Sequence, residues 1–358
     1  MKVYLDNGAT TRVAPEVAEA VKKVFLVQYG NPSSLHSWGR EAKQILEKSR
    51  ATIARKINAQ PEEIFFTSGG SESDNLALVG VALANKVRGN HIITTKFEHH
   101  AIERTAKQLE KQGFKLTFLD VTEDGFVNPK SVENAITDKT ILVSIIHANN
   151  EIGTIQPIGD IGKICRKRGV LLHVDAVQSF TKTELDVNKM NIDLASFSAH
   201  KIHGPKGVGA LYVRKSINIQ PMFFGGSQES KLRPGTENLP SIVGFAQAAA
   251  LISEKDIEHM TKLRNKLIDG LLKISDTQLN GSREHRLCNN VNIAFNFVEG
   301  ESLLMELDTH GIAVSTGSAC SSTELTPSHV LTAIGLKPEI AHGSLRFTLS
   351  KYTTQEEI

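Results

Sequence analysis

Glu63-Ile64-Phe65-Phe66-Thr67-Ser68-Gly69-Gly70-Ser71-Glu72-Ser73-Asp74-Asn75-Leu76 is the stretch that decides the fold. Glu63 to Thr67 reads as a strand, and Ser71 to Ala84 reads as the helix that follows it. The chain turns between them through one hydroxyl and two glycines, Ser68-Gly69-Gly70. The same rhythm continues from about residue 60 to 215. Ile92-Ile93-Thr94-Thr95 reads as a strand, and Ala101 to Lys111 as a helix closed by Gly113. Leu116 to Leu119, Ile141 to Ile146, Val170 to Val174 and Leu194 to Phe197 read as further strands, and Ile158 to Arg168 as a helix. Such alternation predicts an α/β fold with a mainly parallel sheet covered by helices on both faces. Ligands of such sheets sit at the carboxyl ends of the strands, in the loops that follow.

Beyond Pro240 the pattern changes to long helices, Ile242 to Ser253 and Ile257 to Ile274. A strand (Val291 to Phe295), two helices (Ser302 to His310 and Ser328 to Ile334) and a strand (Leu345 to Leu349) complete a smaller α+β domain. The 358 residues are too many for one simple core and fit a large domain with a smaller partner. Apolar residues make up 40% and charged residues 22%, ordinary for a globular protein. A net charge of +2 gives no reason to expect a nucleic-acid or membrane surface. No apolar run approaches the ~20 residues of a membrane span. The start, Met1-Lys2-Val3-Tyr4-Leu5-Asp6, is too polar for a signal peptide and reads as a mature N-terminus. The three cysteines, Cys165, Cys288 and Cys320, form no CxxC pair, which argues for a reducing cytoplasm.

Ser198-Ala199-His200-Lys201 follows the apolar run that ends at Phe197. A lone lysine is ordinarily a surface residue. Asp175, however, closes another apolar strand, and a buried carboxylate needs a partner. The protonated ring nitrogen of pyridoxal phosphate (PLP) is one such partner, and an Asp with a Schiff-base Lys is the recurring protein signature for that cofactor. The plain alternative for Asp175 is a helix N-cap. Thr67 to Ser73 leaves backbone N–H groups at a helix N-terminus, which suits a phosphate, although many helices begin with Ser and Gly. It is neither a Walker motif nor a dinucleotide fingerprint. His99 sits in a histidine pair and reads equally as a ring-stacking acid/base or a polar surface residue. His36, near Ser33 and Ser34, is a candidate for the site entrance. His91, His147, His173, His285 and His329 have no constellation around them in the sequence and read as surface or satisfied core residues.

Taken in order, these segments closely resemble the cysteine desulfurases of the NifS/IscS type, in the class V aminotransferase superfamily of fold-type I PLP enzymes. The resemblance runs from Tyr4-Leu5-Asp6-Asn7-Gly8-Ala9-Thr10-Thr11 to Arg346-Phe347-Thr348-Leu349-Ser350. Between them lie Gly30-Asn31-Pro32-Ser33-Ser34, Ser71-Glu72-Ser73-Asp74-Asn75, Glu98-His99-His100 and Asn149-Asn150-Glu151-Ile152-Gly153. Asp175-Ala176-Val177-Gln178, Ser198-Ala199-His200-Lys201, Arg233-Pro234-Gly235-Thr236 and Gly317-Ser318-Ala319-Cys320 complete the set.

The resemblance implies a large PLP domain with a mainly parallel seven-stranded sheet over residues 31–240 and a small C-terminal domain over 241–358. Residues 1–12 would be an arm that joins the small domain together with 13–30. Lys201 would carry PLP and shuttle protons, His99 would stack on the ring and act as acid/base, and Asp175 would keep the ring nitrogen protonated. Gln178 would bond the phenolate oxygen, and Gly70, Ser71, Ser198 and His200 the phosphate. Many family members have Thr where this chain has Ser71, which keeps the hydroxyl. Thr236 would reach the phosphate of the partner subunit, which implies a homodimer. Asn150 would bind cofactor and substrate, and Arg346 the carboxylate of L-cysteine through a bidentate pair.

Cys320 lies in Ser315-Thr316-Gly317-Ser318-Ala319-Cys320-Ser321-Ser322-Thr323, a run of small polar residues that reads as a mobile segment rather than an apolar pocket. The resemblance makes it the sulfur carrier of a group I enzyme, passing persulfide sulfur to an iron–sulfur scaffold protein of the IscU/NifU type or to other acceptors, tRNA-thiolation enzymes among them. It also makes Cys320 a candidate ligand of a transient [2Fe-2S] cluster shared with that scaffold. Cys165 and Cys288 read as buried structural thiols. The alternatives are a selenocysteine lyase or other class V PLP enzyme, and a non-catalytic platform that lends a cysteine to a scaffold-bound cluster. The sequence stops at Tyr352-Thr353-Thr354-Gln355-Glu356-Glu357-Ile358, where the family usually continues into a last helix and a tail that helps dock the scaffold.

Overall fold

The computed structural model describes residues 2–316 and 327–358. The chain opens with a two-residue strand, β1 (Val3–Tyr4), and two helices, α1 (Pro15–Leu26) and α2 (Ser37–Lys56). Strand and helix then alternate: β2 (Ile64–Thr67), α3 (Gly70–Asn85), β3 (His91–Thr95), α4 (His100–Lys111), β4 (Lys115–Leu119), α5 (Pro129–Ala135) and β5 (Thr140–Ile146). Next come α6 (Ile158–Arg168), β6 (Leu171–Asp175), β7 (Leu194–Ser198) and β8 (Gly209–Val213). These strands form one seven-stranded sheet in the order β2-β8-β7-β6-β5-β3-β4. Every neighbouring pair is parallel except the two that involve β8. The expected mainly parallel α/β fold is therefore what the chain adopts.

The pleat explains why these runs read as continuously apolar. Ile92, Leu142, Leu194 and Leu211 pack into the cluster that α3 and α4 cover. Their immediate neighbours Ile93, Val143, Ala195 and Ala210 enter the cluster on the opposite face, with α1, α2, α6 and α7 (Leu239–Leu251). Side chains alternate between the two faces of a strand, and both faces here are buried, so alternation of polarity disappears. Each of these residues is fully removed from water, which contributes roughly 1.5–3 kcal/mol for each larger side chain.

The remaining elements are α8 (Glu254–Leu271), β9 (Thr277–Leu279), β10 (Asn290–Phe295), α9 (Gly300–Thr309), β11 (Ile312–Ala313), β12 (Ser315–Thr316), α10 (His329–Ala333), α11 (Pro338–His342) and β13 (Ser344–Thr348). An antiparallel sheet in the order β12-β13-β10-β9 has its own apolar cluster, in which Leu263, Ile268, Val291, Ile293, Leu345 and Phe347 pack together. The N-terminus is stitched to this second unit. Strand β1 pairs in parallel with β11, and Asn7 donates its side-chain N–H to the Thr348 carbonyl at 2.8 Å. It is also stitched to the first, because Thr11 donates N–H and O–H to the His200 carbonyl at 2.9 Å. Residues 6–11 therefore run between the two sheets.

Candidate active site

The sheet delivers the functional side chains at its carboxyl edge. Strand β2 ends at Thr67, and helix α3 begins at Gly70, so Gly70 and Ser71 form a helix N-terminus beside that edge. Gly70 is required by crowding: a Cβ there would stand 2.6 Å from Val177 Cγ2. Asp175 is the last residue of β6 and is buried. One of its oxygens accepts from the Val177 N–H at 2.9 Å, which shapes a turn. No helix follows, so the helix-cap alternative gives way to a carboxylate in the cavity wall. Lys201 follows β7 in a single 3-10 turn, and its Nζ donates to the carbonyls of Gly8 at 2.6 Å and Ala9 at 2.8 Å. Gln178 donates to the same Gly8 carbonyl at 2.9 Å.

Gly70, Ser71, His99, Asn150, Asp175, Gln178, Ser198, His200, Lys201 and Arg346 all line one cavity of about 400 Å³. Thr236 does not; it lies exposed in the loop before α7. Cys320 lies outside the described residues. Cys165 and Cys288 are buried, and burial pushes their thiols up to about 12 and about 11. Neither is a ready nucleophile.

The electrostatics divide the cavity. Burial, reinforced by the Lys201 ammonium, pulls His99 down to about 4, so its ring is neutral near pH 7. Its Nδ1 accepts from the Ala101 N–H at 3.1 Å and caps α4, which fixes the ring against the helix. Burial likewise brings His200 to about 4, with Lys201 adding to the effect; its Nδ1 meets Thr10 Oγ1 at 3.2 Å. Burial raises the Asp175 carboxyl, and the Lys201 charge opposes that rise. Asp74 is buried in the same wall, and burial, with the Asp175 charge added, raises its carboxyl well above the ordinary range. On the opposite wall Arg346 donates to Asp6 Oδ1 at 3.1 Å and to the Asn150 carbonyl at 3.0 Å. Its Nε and the Asn150 Oδ1 are buried with no hydrogen-bond partner among the described residues.

Three residues in or beside this wall carry no isolated signal in the sequence as buried groups. Glu151 is pushed up to about 7 by burial and accepts from Ser328 Oγ at 2.5 Å. Glu98 is pushed up to about 8 by burial, although Thr95 Oγ1 and the Ile146 N–H both donate to its Oε1. His329, which reads as having no constellation, lines the cavity with its ring 4.7 Å from that of His100. By contrast, His91, His147 and His173 are buried and hydrogen-bonded to hydroxyls.

Glu98 makes a signed prediction. Its folded pKa lies above the ordinary 4.5, so the native state holds a proton that the unfolded chain releases. The stability it contributes is full below pH 4.5 and is lost as pH rises through about 8. Glu98→Gln keeps the Oε1 acceptor and removes the titration. Its melting temperature should match the wild type near pH 5 and exceed it at pH 8.5. Parallel melting curves at both pH values would refute the buried acid.

This set of groups fits PLP. A buried carboxyl at the end of β6 suits a protonated ring nitrogen, the crowded Gly70 turn offers N–H groups to a phosphate, and a lysine stands in the same wall. The comparisons with known proteins agree. The aminotransferase class-V family matches residues 3–358. "Cysteine desulfurase IscS" of Dictyoglomus turgidum is 51% identical over 361 residues, covering 100% of this chain and 92% of that one. A solved structure titled "NIFS-LIKE PROTEIN" superimposes with a TM-score of 0.94 at 42% identity, over 100% of this chain and 96% of that one. Another, "SspA in complex with cysteine", gives a TM-score of 0.88 at 37% identity, over 99% and 100%. Identity of this order along the whole length, on the same sheet and around the same cavity, places the chain in the aminotransferase class-V family, among its cysteine desulfurases.

Proposed function

We infer that this chain is a PLP-dependent cysteine desulfurase, converting L-cysteine to L-alanine and moving the sulfur to its own Cys320. The observation that carries the reading is convergence: Asp175 at the end of β6, His99 after β3 and Lys201 after β7 share one cavity with Arg346. When bound, PLP supplies an electron sink for the pair left at the substrate Cα. Lys201 removes and returns the proton there, and the neutral His99 ring is the second acid/base. Asp175 holds the proton on the ring nitrogen, Gln178 the phenolate oxygen, and Gly70, Ser71, Ser198 and His200 the phosphate. Asn150 and Arg346 hold the substrate carboxylate; the partnerless Arg346 Nε supports this role.

In the sulfur step the Cys320 thiolate forms an S–S bond to the substrate sulfur. The Cβ–S bond breaks, its electron pair stays with the carbon skeleton, and protonation yields alanine. One cysteine and one enzyme thiol thus become one alanine and one persulfide.

The finer reading is a cytoplasmic homodimer in which Thr236 completes the partner's phosphate site. Its exposed position in the loop before α7 supports a role outside its own cavity. The persulfide would pass to an iron–sulfur scaffold protein or another acceptor, with Cys320 as a candidate ligand of a shared [2Fe-2S] cluster. We assign residues 31–240 to the large domain and 241–358 to the small one. The pairing of β1 with β11 supports an N-terminal arm in the latter, whereas α7 packs on α1 and α2. No helix among the described residues is long and apolar enough to cross a membrane.

The test is alanine release from L-cysteine by PLP-loaded protein with a thiol reductant, alongside L-selenocysteine. Turnover of cysteine that Cys320→Ser abolishes supports the reading. Turnover of selenocysteine alone would make the chain a lyase, and no turnover of either would leave a platform.

A further inference from the structure

Beside the cavity mouth is a group of side chains that the reaction above does not use. His100 and Glu103 lie one turn apart at the start of α4, and His329 is the first residue of α10. Each is partly buried. A ligand atom from each lies within 4.8 Å of the other two. The His100 and His329 rings are 4.7 Å apart and tilted by 34°. His100 Nδ1 stands 3.1 Å from Glu103 Oε2. Two ligands on a tetrahedral zinc ion, with bonds of about 2.0–2.2 Å, are separated by about 3.3 Å. The His100–Glu103 pair already has that spacing, and the His329 ligand atom lies within 4.8 Å of both.

The surroundings prepare the donors. His329 Nε2 lies 2.8 Å from the backbone carbonyl of Glu98, which can only accept, so Nε2 carries the proton and Nδ1 keeps its lone pair. A ligating histidine ordinarily donates its other N–H in this way. Lys107 binds Glu103 Oε1 and leaves Oε2 facing His100.

We propose that His100, Glu103 and His329 form a binding site for a divalent transition metal of the zinc class at the mouth of the cavity. Two imidazoles and one carboxylate suit such an ion, and three protein ligands leave a fourth position open to water or a small-molecule thiolate. The ion takes the place of the His100–Glu103 contact. Lys107 is its competitor, because it draws charge from the same carboxylate.

The test is equilibrium dialysis of the PLP-loaded protein against ZnCl2 alone, with bound metal measured by elemental analysis. Wild type should bind one zinc per chain at this site. His100→Ala and His329→Ala should each weaken binding at least about tenfold. Glu103→Gln, a near-isosteric change, guards against misfolding of the histidine variants and should also weaken binding. Lys107→Ala should tighten it. Absence of zinc binding by wild type overturns the proposal, as does equal binding by all four variants. Zinc that disappears with Cys320→Ser but persists with His100→Ala also overturns it, because the metal would then sit on the thiol.

Discussion

Lys201→Ala should lower the rate of alanine formation by more than about 10⁴-fold, the upper end of what general acid–base catalysis alone contributes. The loss exceeds that figure because two functions leave together: the proton carrier at the substrate Cα and the amine that bonds PLP covalently. The structure adds a local consequence. The Lys201 ammonium donates to the carbonyls of Gly8 and Ala9, which belong to the segment running between the two sheets. Truncation leaves those acceptors with one donor fewer, although Gln178 still reaches Gly8. The variant should therefore fold and bind PLP noncovalently while losing the cofactor on denaturation after borohydride treatment. A borohydride-trapped adduct equal to wild type would show that another lysine carries the cofactor. Unchanged turnover would remove Lys201 from the mechanism.

Asp175→Asn separates cofactor electronics from folding. The amide keeps an oxygen for the Val177 N–H, so the turn after β6 survives. It cannot hold a proton on the ring nitrogen by charge, and removing one partner of a buried ion pair costs about 3–5 kcal/mol. A fall in kcat/KM of about 10²–10⁴ follows if that cost appears in the transition state. Stability without PLP should move the other way. Burial penalises the Asp175 charge more than the Val177 N–H and the Lys201 charge favour it, so the neutral amide should melt no lower than wild type near pH 7. A variant that turns over normally would reduce Asp175 to a turn-former. One that unfolds would show that its charge serves packing.

How much of this could be read beforehand depends on whether local sequence decides the matter. The β2–α3 turn, Asp175 at the end of β6 and Lys201 after β7 were legible because buried parallel strands are short apolar runs and their carboxyl ends are marked by glycines, hydroxyls and charges. The stretch 13–60 was not assigned. Its helix α2 is largely polar, and even its buried face includes Gly39, Ser49 and Arg50 beside Ala42, Leu46, Ile53 and Ala54. Strand β8 carries little signal, because it opens on Gly209, and glycine ordinarily marks a turn rather than a strand. Glu98 and Glu151 could not be recognised as buried, since isolated carboxylates are ordinarily exposed. The carbonyls of Gly8 and Ala9 are backbone and carry no residue signal. His329 comes to His100 only through the packing of α10, across more of the chain than any periodicity reports. Arg346 was found through the resemblance rather than through its local sequence, since a lone arginine in a strand has many uses.

The claim on which the account rests is that sulfur leaves cysteine onto Cys320. It is tested by mass spectrometry of the PLP-loaded protein after brief exposure to L-cysteine without reductant. The account predicts one added sulfur on the peptide that contains Cys320, none on the peptides of Cys165 and Cys288, and an equal yield of alanine in the first turnover. The raised thiols of Cys165 and Cys288 make them poor acceptors. Added sulfur on either of those peptides, or stoichiometric alanine with Cys320 unmodified, would contradict it.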